Sequence, residues 1–294
     1  MQTDLRWLAS MSGSCFYAAR AIIRGESIIH RQLAEAMRMP AHRLAAELQM
    51  NKIDRERFLE HVSALACNIE NNDQLAETTL IKTLGKNNTD IHVAHALSGR
   101  FADLESAFHQ ACPTVIDELA VRAEPLQNQW EAHGPGLLHV LAQMTHASLI
   151  PERADVVLVI PILGGGGVAD LPYNSVRMEA VLADPVAELP EYLRLAWLIS
   201  QLNLDIPVFC ERIPGRRVPR AAAFAMLPAV LAAAEEMGVA KLDQATVERA
   251  LVAWHVEWTM LPEIAQMLLN WWNTYRAKRS RFSLALTALD RMLD

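Results

Sequence analysis

Four consecutive glycines, Gly164, Gly165, Gly166 and Gly167, are the first feature of this chain that could do chemistry. Backbone N–H groups free of side chains can close around a phosphate or a carboxylate. No Lys-Ser or Lys-Thr pair follows, and Val168-Ala169-Asp170-Leu171-Pro172 is not a helix start, so neither a P-loop nor a dinucleotide fingerprint is present. The glycines are expected to form a turned strand end that could face a ligand. Beyond them Arg177 and Glu179 alternate with Val176, Met178 and Ala180, and Glu191 opens the next helical segment. Arg177, Glu179 and Glu191 are therefore the candidate catalytic residues, because a glutamate in partly apolar surroundings can serve as a general base. Arg216 and Arg217, flanked by Arg212 and Arg220 just before a helix, form a second candidate anion site.

The histidines point to less. His92 and His95 would share a helical face with His109 further along, and His133, His139 and His146 form another group. No carboxylate joins either group in a metal-binding arrangement, so these read as surface or capped histidines. His255-Val256-Glu257 has the order of the first half of a deaminase zinc motif, but no Pro-Cys-x-x-Cys half accompanies it. No metal site and no cofactor is expected.

The elements that must position these groups can be read from periodicity. Apolar residues at three- and four-residue spacing predict helices near 15–24, 28–37, 41–50, 54–69, 73–84, 90–109 and 113–145, with Pro40 and Pro113 in first turns. The texture changes at 154–163, a β-branched run that predicts a buried strand. Alternation over 175–182 predicts a second strand, half-buried, with Val176, Met178, Ala180 and Leu182 on one face and Arg177 and Glu179 on the other. The link Gly164–Asn174 is long for a hairpin. Helices are predicted at 190–203, 219–237, 243–258, 261–277 and 280–293, and a short edge strand at 206–212. Glu191, Arg194 and Gln201 share one polar side of the 190–203 helix, which could face solvent or a cleft. Trp254 and Trp258 are placed one above the other on a helix, and one ring of Trp271-Trp272 is expected to reach water.

Two resemblances follow from these segments. Residues 30–50 resemble the helix-turn-helix families, with Leu33, Ala34 and Met37 on a first helix, Leu44 and Leu48 on a second, and Arg38 where those families usually have a glycine. Only His42 and Arg43 would face bases or phosphates. The order from 113 to 203, long helix, buried strand, glycine-rich link, amphipathic strand and helix, resembles the core of zincin-like metallopeptidases, whose last helix carries HExxH. In this chain the two histidine positions fall on Ala196 and Ser200, and the general-base position on Trp197. The resemblance implies a degenerate, non-catalytic member in which Trp197 fills the space of the missing metal.

Composition frames all of this. Of 294 residues 44 are Ala and 39 are Leu, both good helix formers, while 52% are hydrophobic and the net charge is -7. The expected fold is α+β, predominantly α-helical, with a helical region over 1–150 and a small sheet plus C-terminal helices over 151–294, packed as one unit. The acidic balance argues against a general nucleic-acid role. The longest apolar run, Ala221 to Ala234, is too short and too Ala-rich for a bilayer span. Four scattered cysteines and no apolar leader point to the cytoplasm. The leading functional expectation is a non-catalytic binding or interaction protein with a protein partner or a small anionic ligand. A hydrolase with a cleft over 164–201, and DNA binding through 30–50, are the alternatives.

Overall fold

The computed structural model describes residues 3–181, 184, 186–256, 258 and 260–294; Leu182 and Glu257, singled out above, lie outside them. The chain opens on strand β1 (Asp4–Ala9), followed by helices α1 (Met11–Arg24), α2 (Arg31–Met50), α3 (Arg55–Leu65), α4 (Asn72–Leu84) and α5 (Ile91–Ala111). Helix α6 (Val115–Met144) leads into β2 (Arg153–Val159), β3 (Gly167–Asp170) and β4 (Ser175–Glu179). The rest is helical: α7 (Glu191–Ile199), α8 (Pro207–Cys210), α9 (Val218–Glu236), α10 (Gln244–Ala253), α11 (Leu261–Lys278) and α12 (Phe282–Met292). The fold is α+β and predominantly helical, as the Ala and Leu content predicts. Many helix starts are set locally: the side chains of Ser10, Asp54, Asn71, Asp90 and Asp243 each accept a backbone N–H of the first turn they cap.

Contacts divide the chain into two compact units, one of Met1–Trp7, Arg122–Val156 and Gly165–Asp294, the other of Leu8–Val121 and Val157–Gly164. In the second of these, α1 to α5 pack around apolar side chains, with Phe16 edge-on to Phe101 at 4.9 Å and Phe58 beside the same ring at 6.2 Å. The helix-turn-helix expectation fails here. Residues 31–50 form one uninterrupted helix, with Pro40 in its interior and not in a first turn. Pro40 has no N–H for the carbonyl of Ala36, but Ala36 is exposed, so water can take that bond. His42 and Arg43 are thus two exposed residues on a continuous helix, with no turn to set a recognition helix apart.

Among the described residues the strands form a single sheet in the order β1-β2-β4-β3. The amides of Asp4 and Ser10 donate to the carbonyls of Glu152 and Leu158, so β1 runs parallel to β2. Strands β3 and β4 are antiparallel, with Gly167 opposite Met178, Val168 opposite Arg177 and Asp170 opposite Ser175. The long link after the glycines therefore contains a strand, and 171–174 make the turn, closed by Asn174 at φ 48°. Helix α7 packs against β3 and β4, and every residue of β4 is buried. This corrects the half-buried expectation: Arg177 and Glu179, on the polar side of the alternation, are as fully buried as Val176 and Met178 on the apolar side.

Three further expectations are overturned. Residues 207–210 are the short helix α8 and not an edge strand, Pro207 supplying a preset φ for a first turn. Trp254 ends α10 and Trp258 lies beyond it, so they do not stack along one helix. Trp271 and Trp272 are both buried, because α11 is packed by α9, α10 and α12 from more than one side. The Trp271 ring N–H donates to the Ala285 carbonyl at 2.8 Å, and the Tyr275 hydroxyl donates to the Met144 carbonyl at 2.9 Å. The segment Gly215–Glu236 is long and apolar enough to cross a membrane by length and composition, and it is mostly buried inside the protein.

Candidate functional site

Glu179 and Glu191 come together with Arg194 where β4 meets α7, and Arg177 lies nearby on β4; all are buried groups with partners inside the protein. Arg177 is fully buried and grips Asp170 with two hydrogen bonds of 2.7 Å, a bidentate pair between the two strands of the hairpin. One carboxylate oxygen of Glu179 accepts the N–H of Gly165 at 2.8 Å, and its own amide donates to the Gly166 carbonyl at 3.1 Å. Arg194, fully buried in the middle of α7, donates to the carbonyls of Gly166 at 2.6 Å and Glu179 at 2.7 Å, and to the Glu191 carboxylate. Asp184 accepts the amide of Glu191 at 2.9 Å and caps the start of α7.

The glycines are explained by this joint. Gly164 and Gly165 have φ of 96° and 148°, a region that side chains disfavour. At Gly167 an added Cβ would lie 2.7 Å from Leu198 and 3.1 Å from the Arg177 carbonyl, so the close approach of strand and helix excludes a side chain. The tetraglycine loop does hold a carboxylate, and the carboxylate is the chain's own Glu179. Sequence reasoning grouped Glu191, Arg194 and Gln201 on a polar side; all three are buried, and Asp170 and Asp184 were missed as partners. The available signal was a lone arginine inside the otherwise apolar run Tyr192–Ile199, which requires internal acceptors.

Burial pushes the Glu191 carboxyl up from the usual range, against the pull of Arg194, and the nearby Asp184 and Glu179 add to the rise. His255 feels the same cluster. Partial burial lowers its pKa from the usual 6.5; Glu179 raises it and Arg194 lowers it further. With a lowered folded pKa the native protein binds fewer protons than the unfolded chain as pH falls through 6.5, so acidification costs stability from there downward. His255 also adopts φ 53°, a conformation that Asn accepts readily. His255→Asn is therefore expected to unfold at the same urea midpoint as the parent near neutral pH and at a higher one below about pH 6, where the parent has begun to lose stability.

The second candidate site does not converge. Arg217 turns to Asp290 at 2.7 Å and to Asp294, while Arg216 is exposed. Arg220 donates to the Leu293 carbonyl at 2.8 Å and lies 4.7 Å over the Trp258 ring. The space enclosed by Arg217, Arg220 and Asp290 is about 10 Å³, enough for one water and too little for a phosphate. The histidines of both groups are exposed: His95 faces Asp73 at 3.6 Å, His133 stacks on Tyr192, His139 meets Gln143, and His146 accepts the Ser148 amide. Among the described residues no three His, Cys, Asp or Glu side chains are grouped to hold a metal ion.

Helix α7 presents buried Ala196 and Trp197, and Ser200 follows just past its end, also buried. The Trp197 ring N–H donates to the Ala223 carbonyl at 2.8 Å and the ring stacks on Trp254 at 5.3 Å. No protein-family model, curated protein or solved structure matches the chain.

Proposed function

We propose that this chain is a non-catalytic binding or interaction protein built on a degenerate zincin-like scaffold. The observation that carries the reading is Trp197: a large ring, stacked on Trp254 and bonded to Ala223, stands where the resemblance would put the general base. The polar groups nearest to it support the same reading. Arg177 bonds to Asp170, Arg194 to Glu191 and the Gly166 carbonyl, and Glu179 accepts the Gly165 amide. A carboxylate already bound by a backbone N–H or a guanidinium is a poor base for substrate. Cys15, Cys112 and Cys210, which form no disulfide among the described residues, suit a cytoplasmic setting.

Metal analysis of the purified protein tests the proposal. The expected result is zinc well below one equivalent and a thermal midpoint that a chelator does not move. Stoichiometric zinc, lost together with stability on chelation, would overturn it. One observation favours a second reading, a hydrolase at the same joint: the raised carboxyl of Glu191 is the kind of perturbation that active sites produce. That reading requires an esterase or peptidase activity abolished by Glu179→Gln and by Glu191→Gln, and it falls if either variant keeps the parent rate.

A further inference from the structure

Away from the α7 joint, α10, α11 and α12 enclose an open groove of about 510 Å³, within the range of ligand sites in proteins. Its apolar lining comes from Met267 and Met292, the latter 48% exposed, and methionines adapt to irregular partners. Its polar lining is held in place by pairs one helical turn apart. Gln266 donates to the Asn270 side-chain oxygen at 3.0 Å, and Gln244 donates to Glu248 at 2.8 Å. These pairs leave the amide nitrogen of Asn270 as a donor and the side-chain oxygens of Gln266 and Gln244 as acceptors, without partners among the described residues. A donor and acceptors beside an apolar lining complement an extended peptide, which offers one C=O and one N–H per residue and an apolar side chain between them. The charge is one-sided: Glu263 lines the groove, Glu248 accepts from Gln244, and among the described residues no lysine or arginine lines it.

We infer that this groove binds an extended segment of a partner protein in which a lysine or arginine stands next to an apolar residue. The apolar side chain sits against Met267 and Met292, the backbone meets the amides, and the cation faces Glu263. The groove shares no residue with the α7 joint, so peptide binding can fail while the reading of that joint stands, and the reverse holds too.

The test is a phage-displayed library of short random peptides panned on the immobilised full-length protein. Enrichment of a Lys or Arg next to Leu, Ile or Met is expected. A synthetic peptide of the enriched sequence should bind the protein saturably and lose about fivefold in affinity to Glu263→Lys, since one exposed attraction becomes a repulsion. Met267→Asp should weaken the same peptide, and both variants should keep the parent's circular dichroism and thermal midpoint. No enrichment, enrichment of acidic sequences, or peptide binding indifferent to both variants would overturn the inference. So would concentration-dependent self-association abolished by the same two substitutions, which would assign the groove to a second copy of the chain.

Discussion

Arg194→Met is expected to lower the free energy of unfolding by about 4 kcal/mol, because removing one partner of a buried ion pair leaves the other charge uncompensated. The Glu191 carboxylate loses its guanidinium, and the carbonyls of Gly166 and Glu179 lose a donor each. With a total stability of roughly 5–15 kcal/mol for a protein of ordinary size, such a loss brings the variant close to unfolding at ambient temperature. Urea titration followed by circular dichroism measures it. The double variant Arg194→Met, Glu191→Leu should recover about half of the loss, since the stranded carboxylate is gone while the two carbonyls stay short of a donor. A single-variant loss under about 1 kcal/mol would mean that the guanidinium does not hold the glycine loop to the helix.

The second large effect is expected at Trp197. Trp197→Ala should cost about 4 kcal/mol, the usual consequence of emptying a buried aromatic site. The ring is 4% exposed, and its removal also takes away the stacking surface of Trp254. Trp197→Phe keeps most of the volume and loses the bond to Ala223, so about 1 kcal/mol is expected. Near-ultraviolet circular dichroism gives a separate readout, because both variants break the Trp197–Trp254 stack while only the alanine variant opens a cavity. If Trp197→Ala unfolds at the parent's midpoint, the ring is not a structural filler and the proposal that it replaces a lost catalytic centre fails.

The helices of this protein were legible because their apolar spacing agrees with their packing: the 73–84 and 219–237 predictions nearly coincide with α4 and α9. Two strands were not. Strand β3 reads Gly-Val-Ala-Asp, in which only valine favours a strand, and β1 carries Asp4 and Arg6 in a run whose alternation lapses at Leu8. Tertiary packing decided the rest. The alternation over β4 is the pattern of a strand with one wet face, yet Arg177 and Glu179 on that face are fully buried and Arg177 finds Asp170 across the hairpin. A sequence shows that an arginine is present between apolar residues but not which carbonyls will surround it, so Arg194 was legible as a polar position and not as the hub of the joint. Trp271 and Trp272 failed for the opposite reason: adjacent residues on a helix cannot share one core, but α11 is packed on more than one side.

The short strand β3 bears on what its edge of the sheet can recruit. It pairs with β4 on one side and stands at the edge of the sheet, but it spans only Gly167–Asp170 before Pro172 enters the turn. Four residues leave about two outward pairs of N–H and C=O groups, too few to seat an added strand. A partner gains little by extending the sheet at this edge, and the same brevity guards this edge against edge-to-edge aggregation.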